Sequence, residues 1–230
     1  MAFNPKYCSI PLASASDNIG MPDLPVILPS ASRFKQYFDS LFWQIKIYEK
    51  GWASYLVTGG ISVDIIMSAE MIRFGLIDTS FYPPVEYPTL NFRVEPPIYP
   101  MESWCKISAY DSTRYNYSSY PLVVYFKADT RKIEQQNVVI KYDDEVGTII
   151  PLSQKQFDVL TFTTQPMNSD YARLLLDIAE WDNVTFQHWD TNSTNWSSAL
   201  NVVKKAEAWN KTTYPKTLGT TIQGSFVIKQ

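Results

Sequence analysis

Leu122-Val-Val-Tyr-Phe-Lys-Ala128 and four stretches like it decide the fold: Trp104 to Tyr110, Asn137 to Tyr142, Gly147 to Leu152 and Phe157 to Thr163. Each is rich in β-branched or aromatic residues and is bounded by turn chemistry, the composition of strands. Lys127, Lys141 and Asp158 interrupt the apolar residues, which suits a half-exposed antiparallel sheet better than a buried parallel one. Tyr142-Asp143-Asp144-Glu145-Val146-Gly147 reads as a hairpin turn between two of these strands. No helical pattern separates the strands, so crossover βαβ units are not expected. Ahead of them, Pro83-Pro84, Pro88, Pro96-Pro97 and Pro100 punctuate an extended run that includes Thr89 to Val94. The core expected from this region is a central antiparallel β-sheet or sandwich over about 85–165.

Helical periodicity is expected on both sides of that core. Phe34, Tyr37, Phe38, Leu41, Phe42, Ile45 and Tyr48 recur at three-and-four spacing, with Ser32 as a cap and Gly51 as a stop. Ser62 opens a second such pattern, with Val63, Ile66, Met67, Met71 and Phe74 on one face and Gly75 after it. Further on, Ser169 caps a helix that carries Tyr171, Leu174, Leu175, Ile178 and Trp181 on one face. Another helix is expected over Ser198 to Trp209, with strands at Val184 to Trp189 and Thr220 to Ile228. The whole reads as an α+β fold in one compact domain. An extended arm (1–31) precedes a helical segment (32–82), a β-rich core (83–165) and an α/β C-terminal segment (166–230) packed on that core.

The arm carries five prolines, Pro5, Pro11, Pro22, Pro25 and Pro29, which forbid a helix of useful length. It also carries Ile10, Leu12, Ile19, Met21, Leu24, Val26, Ile27 and Leu28. Such aliphatics are disfavoured in water, so the segment must lie against its own body or against a neighbouring subunit. Leu24, Val26, Ile27 and Leu28 are therefore candidate partner contacts. So are Tyr110, Arg114, Tyr115, Tyr117 and Tyr120, which bracket a polar loop. Tyrosine combines apolar area with a polar handle and is enriched at interfaces.

Composition narrows the function. The chain has 230 residues, 20 Lys+Arg against 23 Asp+Glu, and no basic cluster of the kind nucleic-acid binding uses. Two cysteines, Cys8 and Cys105, and the single histidine, His188, are too few for a closed zinc site, so no metal and no cofactor is expected. Gly59-Gly60 lacks the lysine and spacing of a phosphate loop and reads as a turn. The best catalytic grouping is His188 with Asp182 or Asp190, a general base beside carboxylates that could serve a hydrolase. His188 stands in an apolar row with Val184 and Phe186, which fits a packed side chain better. Five Asn-x-Ser/Thr sequons leave glycans possible.

No secretory pattern opens the chain and no apolar run spans a bilayer, so synthesis in the cytoplasm without membrane insertion is expected. The leading expectation is a non-enzymatic assembly protein in a homo- or hetero-oligomer with other protein subunits. Capsid, tail and accessory proteins of virions often have this arm-and-β character, which makes the virion a plausible final location. A carbohydrate- or surface-binding module using exposed Tyr and Trp is the second expectation.

Overall fold

In a computed structural model, the described residues are 8–13, 24–38, 40–51, 53–60, 62–96, 104–110, 121–143, 149–190, 192–205, 208–214 and 219–229. For 139–143 and 149–154 the description covers the backbone alone. The chain is nearly all β, not α+β, and three of the four expected helices are strands.

The first correction falls on residues 32–49. β1 (Val26–Pro29) is followed by β2 (Arg33–Tyr37) and β3 (Trp43–Glu49). Phe34, Gln36 and Phe38 are buried, and so are Trp43, Ile45 and Ile47. Each half thus alternates with period two, and the two alternations are out of phase across the turn at 40–42. Added together they imitate a helical period, and Gln36 hides the first alternation because it is polar. The same holds for the second expected helix, which is β5 (Ser62–Ile66) after β4 (Ser54–Thr58), then β6 (Met71–Asp78). There Val63 and Ile65 point inward while Ile66 is 58% exposed. β7 (Val85–Pro88) and β8 (Phe92–Glu95) complete this half.

These eight strands form three small sheets: β1 parallel to β8, β2 antiparallel to β5, and the antiparallel order β4-β3-β6-β7. The described parts of the N-terminal segment, 8–13 and 24–31, are held in cis. Val26 and Leu28 are 1% and 3% exposed in the chain's own core. Farther upstream, Leu12 bridges Thr89, and the Pro11 carbonyl accepts from the Leu90 amide at 2.7 Å.

The other half is a closed barrel. Its strands are β9 (Trp104–Ala109), β10 (Leu122–Asp143), β11 (Ile149–Thr164), β12 (Val184–Asp190), β14 (Leu200–Lys204) and β16 (Thr220–Ile228). The short β13 (Asn195–Trp196) pairs with β12, and β15 (Asn210–Thr213) pairs with β16. The ring runs β11-β10-β9-β12-β14-β16 and returns to β11, antiparallel at every step. Two expected strands, Leu122 to Ala128 and Asn137 to Tyr142, are one strand of 22 residues. The polar stretch between them contains no glycine or proline to break it.

Residues directly opposite each other across a ladder share a face. The pairs Phe126 with Cys105, Ile107 with Phe186, Leu160 with Phe226 and Phe162 with Gly224 therefore line one interior. Four phenylalanines fill it: Phe162 lies 5.2 Å from Phe126, 6.1 Å from Phe186 and 5.8 Å from Phe226, centroid to centroid. Trp209 stands edge-on to Phe162 and Phe226 at 5.5 and 5.1 Å, and its indole N–H donates to the Ser225 carbonyl at 2.9 Å.

The fourth expected helix is real: α1 (Ser169–Ile178), capped one residue earlier than expected by Asn168. The Asn168 side chain accepts from the amides of Asp170 and Tyr171 at 2.9 and 3.3 Å. α1 covers the flank of β10 that β11 leaves beyond Ala128. There the Tyr171 hydroxyl donates to the Tyr125 carbonyl at 2.8 Å and accepts from the Tyr125 amide at 3.0 Å, replacing the missing ladder bonds. No described helix is long and apolar enough to cross a bilayer. One contiguous core joins barrel, helix and small sheets. A half-buried Lys127–Glu95 pair at 2.8 Å ties β10 to β8.

Gly224 makes the aromatic filling possible, because a Cβ there would come within 2.9 Å of both the Phe162 and Trp209 rings. Gly224→Ala is expected to lower stability by about 1–3 kcal/mol in urea unfolding through overpacking. Gly60→Ala, with open space around the new methyl, should leave stability unchanged within about 0.5 kcal/mol.

Candidate functional site

The expected site residues separate into three groups. Val26 and Leu28 are core, Ile27 is packed partly against it, and the Leu24 carbonyl accepts from the Asn168 side chain at 3.0 Å. Tyr110 directly follows β9 and is half-buried, while Arg114, Tyr115, Tyr117 and Tyr120 lie outside the described residues. The histidine grouping is only partly assembled. His188 sits near the end of β12 with Asp190 two residues on, but Asp182 precedes the strand. A bend at Asn183, whose φ is 52°, and roughly 13 Å of strand from Val184, at ~3.3 Å per residue, come between Asp182 and His188.

What His188 meets instead is Cys105, its cross-strand partner on β9. The Arg131 side chain, from β10, donates a hydrogen bond to the Cys105 thiol. Burial pushes that thiol up to about 12, despite the Arg131 cation beside it, so it is no nucleophile at neutral pH. Burial first, then the same cation, hold the His188 imidazole below its ordinary 6.5 against the pull of Asp190. A part-buried histidine, a buried thiol and the exposed Arg131 cation thus meet at one barrel mouth. Among the described residues, no three His, Cys, Asp or Glu side chains gather to hold a metal ion.

A long two-stranded extension leaves the barrel at the same mouth. β9 pairs with β10 only as far as Lys127, and β16 pairs with β11 only over Val159 to Thr163. Beyond those limits Gln135–Asp143 and Ile149–Asp158 pair only with each other among the described residues. The result is a two-stranded ribbon roughly 30 Å long at ~3.4 Å per residue. Its sequence holds Val138, Val139, Ile140, Tyr142, Ile149, Ile150 and Leu152. Val138 is 45% exposed, and Ile133, at the ribbon's root, is 53% exposed. At the base, Lys205 donates to Gln136 at 2.9 Å.

An aromatic group lies on the outer face of the barrel, over β9, β10 and β12. Trp196 meets Trp189 edge-on at 5.5 Å and Tyr125 at 5.7 Å, and the Lys106 ammonium sits 4.6 Å from its ring centre. Burial lowers the Lys106 pKa. All the described tryptophans are buried or half-buried. Sequence reading missed the ribbon because it took Asn137–Tyr142 as an ordinary sheet strand. The length of the run from Leu122 without glycine or proline was the available signal. No family model, no curated protein and no solved structure matches this chain.

Two outcomes test this description of the mouth. A thiol reagent at pH 8 should label neither cysteine in the native protein, since Cys8 and Cys105 are both fully buried, and both after unfolding. The His188 ring protons should titrate in NMR below 6.5, and Arg131→Met should raise that midpoint. The unfolded chain takes up the proton first, so this site's contribution to stability is present above about 6.5. It is lost as pH falls through the lower folded value.

Proposed function

We propose that this protein is a non-enzymatic assembly component, a subunit that works through contacts with other chains as virion proteins do. The ribbon carries the reading. An isolated two-stranded hairpin is marginally stable in water, and this one is rich in valine, isoleucine and leucine by sequence, residues whose exposure solvent disfavours, with Val138 45% exposed. Attached to a rigid barrel, it is a preformed element for lying across a neighbouring subunit. The N-terminal segment no longer supports the reading, because its described parts are occupied within their own chain. The half-buried tryptophans lend less to a glycan platform, which needs open ring faces. The separation of Asp182 from His188 lends little to a hydrolase.

The test is solution mass by light scattering on the full chain and on a ribbon-shortened variant. In the variant, Val138–Lys155 is replaced by Asn-Gly, which suits a two-residue turn between the paired Asn137 and Gln156. The full chain is expected to form concentration-dependent species well above its 26.4 kDa. The shortened chain should keep its melting temperature within a few degrees and lose the largest of them. A full chain that stays monomeric at high concentration, or a shortened chain that assembles just as far, contradicts the proposal.

A further inference from the structure

The geometry points to a second contact, independent of the ribbon: the edge of β4 pairs antiparallel with β4 of a second copy of this chain. β4 is the outermost strand of the order β4-β3-β6-β7, and among the described residues nothing pairs with its outer side. An open edge is a template for another strand, and proteins normally blunt it with charge, proline, bulges or brevity. Every other open edge here is blunted. β2 carries Arg33 and Lys35, β5 Asp64, β8 Arg93 and Glu95, and β15 Lys211. β1 ends in Pro29 and β13 has two residues. β7 carries Glu86 and Pro88, and its Pro88 carbonyl accepts from the Ala13 amide at 2.8 Å. Even the ribbon carries Lys141, Pro151 and Lys155, with a register shift between Ile140 and Lys141.

β4 reads Ser54-Tyr-Leu-Val-Thr58, and no charged residue occurs between Lys50 and Asp64. Tyr55 and Val57 lie opposite Ile47 and Ile45, so they continue the face that those buried isoleucines turn to the core. That face stays open at the edge, with Tyr55 55% exposed. Leu56, on the other face, is also 55% exposed.

A second copy fits by self-complementarity. An antiparallel pairing centred on Leu56 sets Leu56 against Leu56, Tyr55 against Val57 and Ser54 against Thr58, with no charge opposed or left unmatched. Such a contact is isologous and closes at two chains. It also extends the sheet to eight strands and covers the open end of the Ile45–Ile47 face.

The experiment is solution mass of the full chain with Leu56→Lys and Leu56→Cys. Shortening the ribbon leaves β4 untouched, so the ribbon-shortened background should run at twice 26.4 kDa. Adding Leu56→Lys should return it to 26.4 kDa, because two ammonium groups would face each other across the pairing. Circular dichroism checks that this variant folds. Leu56→Cys keeps the strand uncharged and should give a disulfide-linked dimer on oxidation, since the native cysteines are buried. A ribbon-shortened chain that runs as a monomer, or a dimer that folded Leu56→Lys leaves intact, overturns the β4 contact without touching the ribbon reading. So does a Leu56→Cys chain that never cross-links. Large assemblies lost only on shortening the ribbon support the ribbon alone.

Discussion

Closure of the barrel by β16 is the constraint on which the rest of the structure depends. β16 bonds to β11 on one side and to β15 and then β14 on the other, so the ring has no free edge at that seam. The closure is set by side chains as well as by backbone. Phe126, Phe162, Phe186 and Phe226 occupy the space that a six-strand ring encloses, and Gly224 leaves room for the rings that meet over it. Interiors are packed close to crystal density, so four large rings fix the radius as firmly as the ladder does.

With that ring closed, other features follow. β10 and β11 are longer than the ring needs, and their surplus leaves at one mouth as the ribbon. Where β11 ends, Tyr125 has no strand on that side, and α1 is positioned so that one buried hydroxyl, that of Tyr171, answers both the amide and the carbonyl. Burial raises the pKa of that hydroxyl, so it stays a donor throughout the physiological range. The small sheets then pack on the outside, tied by the Lys127–Glu95 pair. There Lys127 and Arg93 hold the Glu95 carboxyl below its ordinary value although its burial acts the other way.

The strands from Trp104 to Thr163, the Val184 and Thr220 strands and α1 were legible because their patterns are long or flanked by clear punctuation. Residues 32–49 were not. Phe34, Phe38, Ile45 and Tyr48 satisfy a helical spacing, yet composition argued otherwise, since Phe, Tyr, Trp and Ile favour strands. The arrangement of strands into a ring was illegible for a different reason. Register between β16 and β11 lies in the fit of Phe226 to Leu160 and of Gly224 to Phe162, a long-range match that no local pattern carries. The partner-facing reading of Val26 and Leu28 rested on a sound premise, that aliphatics leave water. The sequence could not say that β8 offers them a lodging place. For the histidine, proximity in sequence misled: Asp182 lies ahead of the strand that carries His188, and the neighbours that matter, Cys105 and Arg131, come from two others.

A closed ring with one long two-stranded ribbon is the architecture on which the proposal of assembly through preformed elements rests. Amide hydrogen exchange followed by mass spectrometry tests the closed ring most directly. If β16 seals the barrel, peptides covering Phe157–Thr164 and Thr220–Ile228 should exchange together and slowly, only through global unfolding. Rapid exchange of the β16 peptide while β11 stays protected would mean an open sheet, and the account built on closure would be wrong.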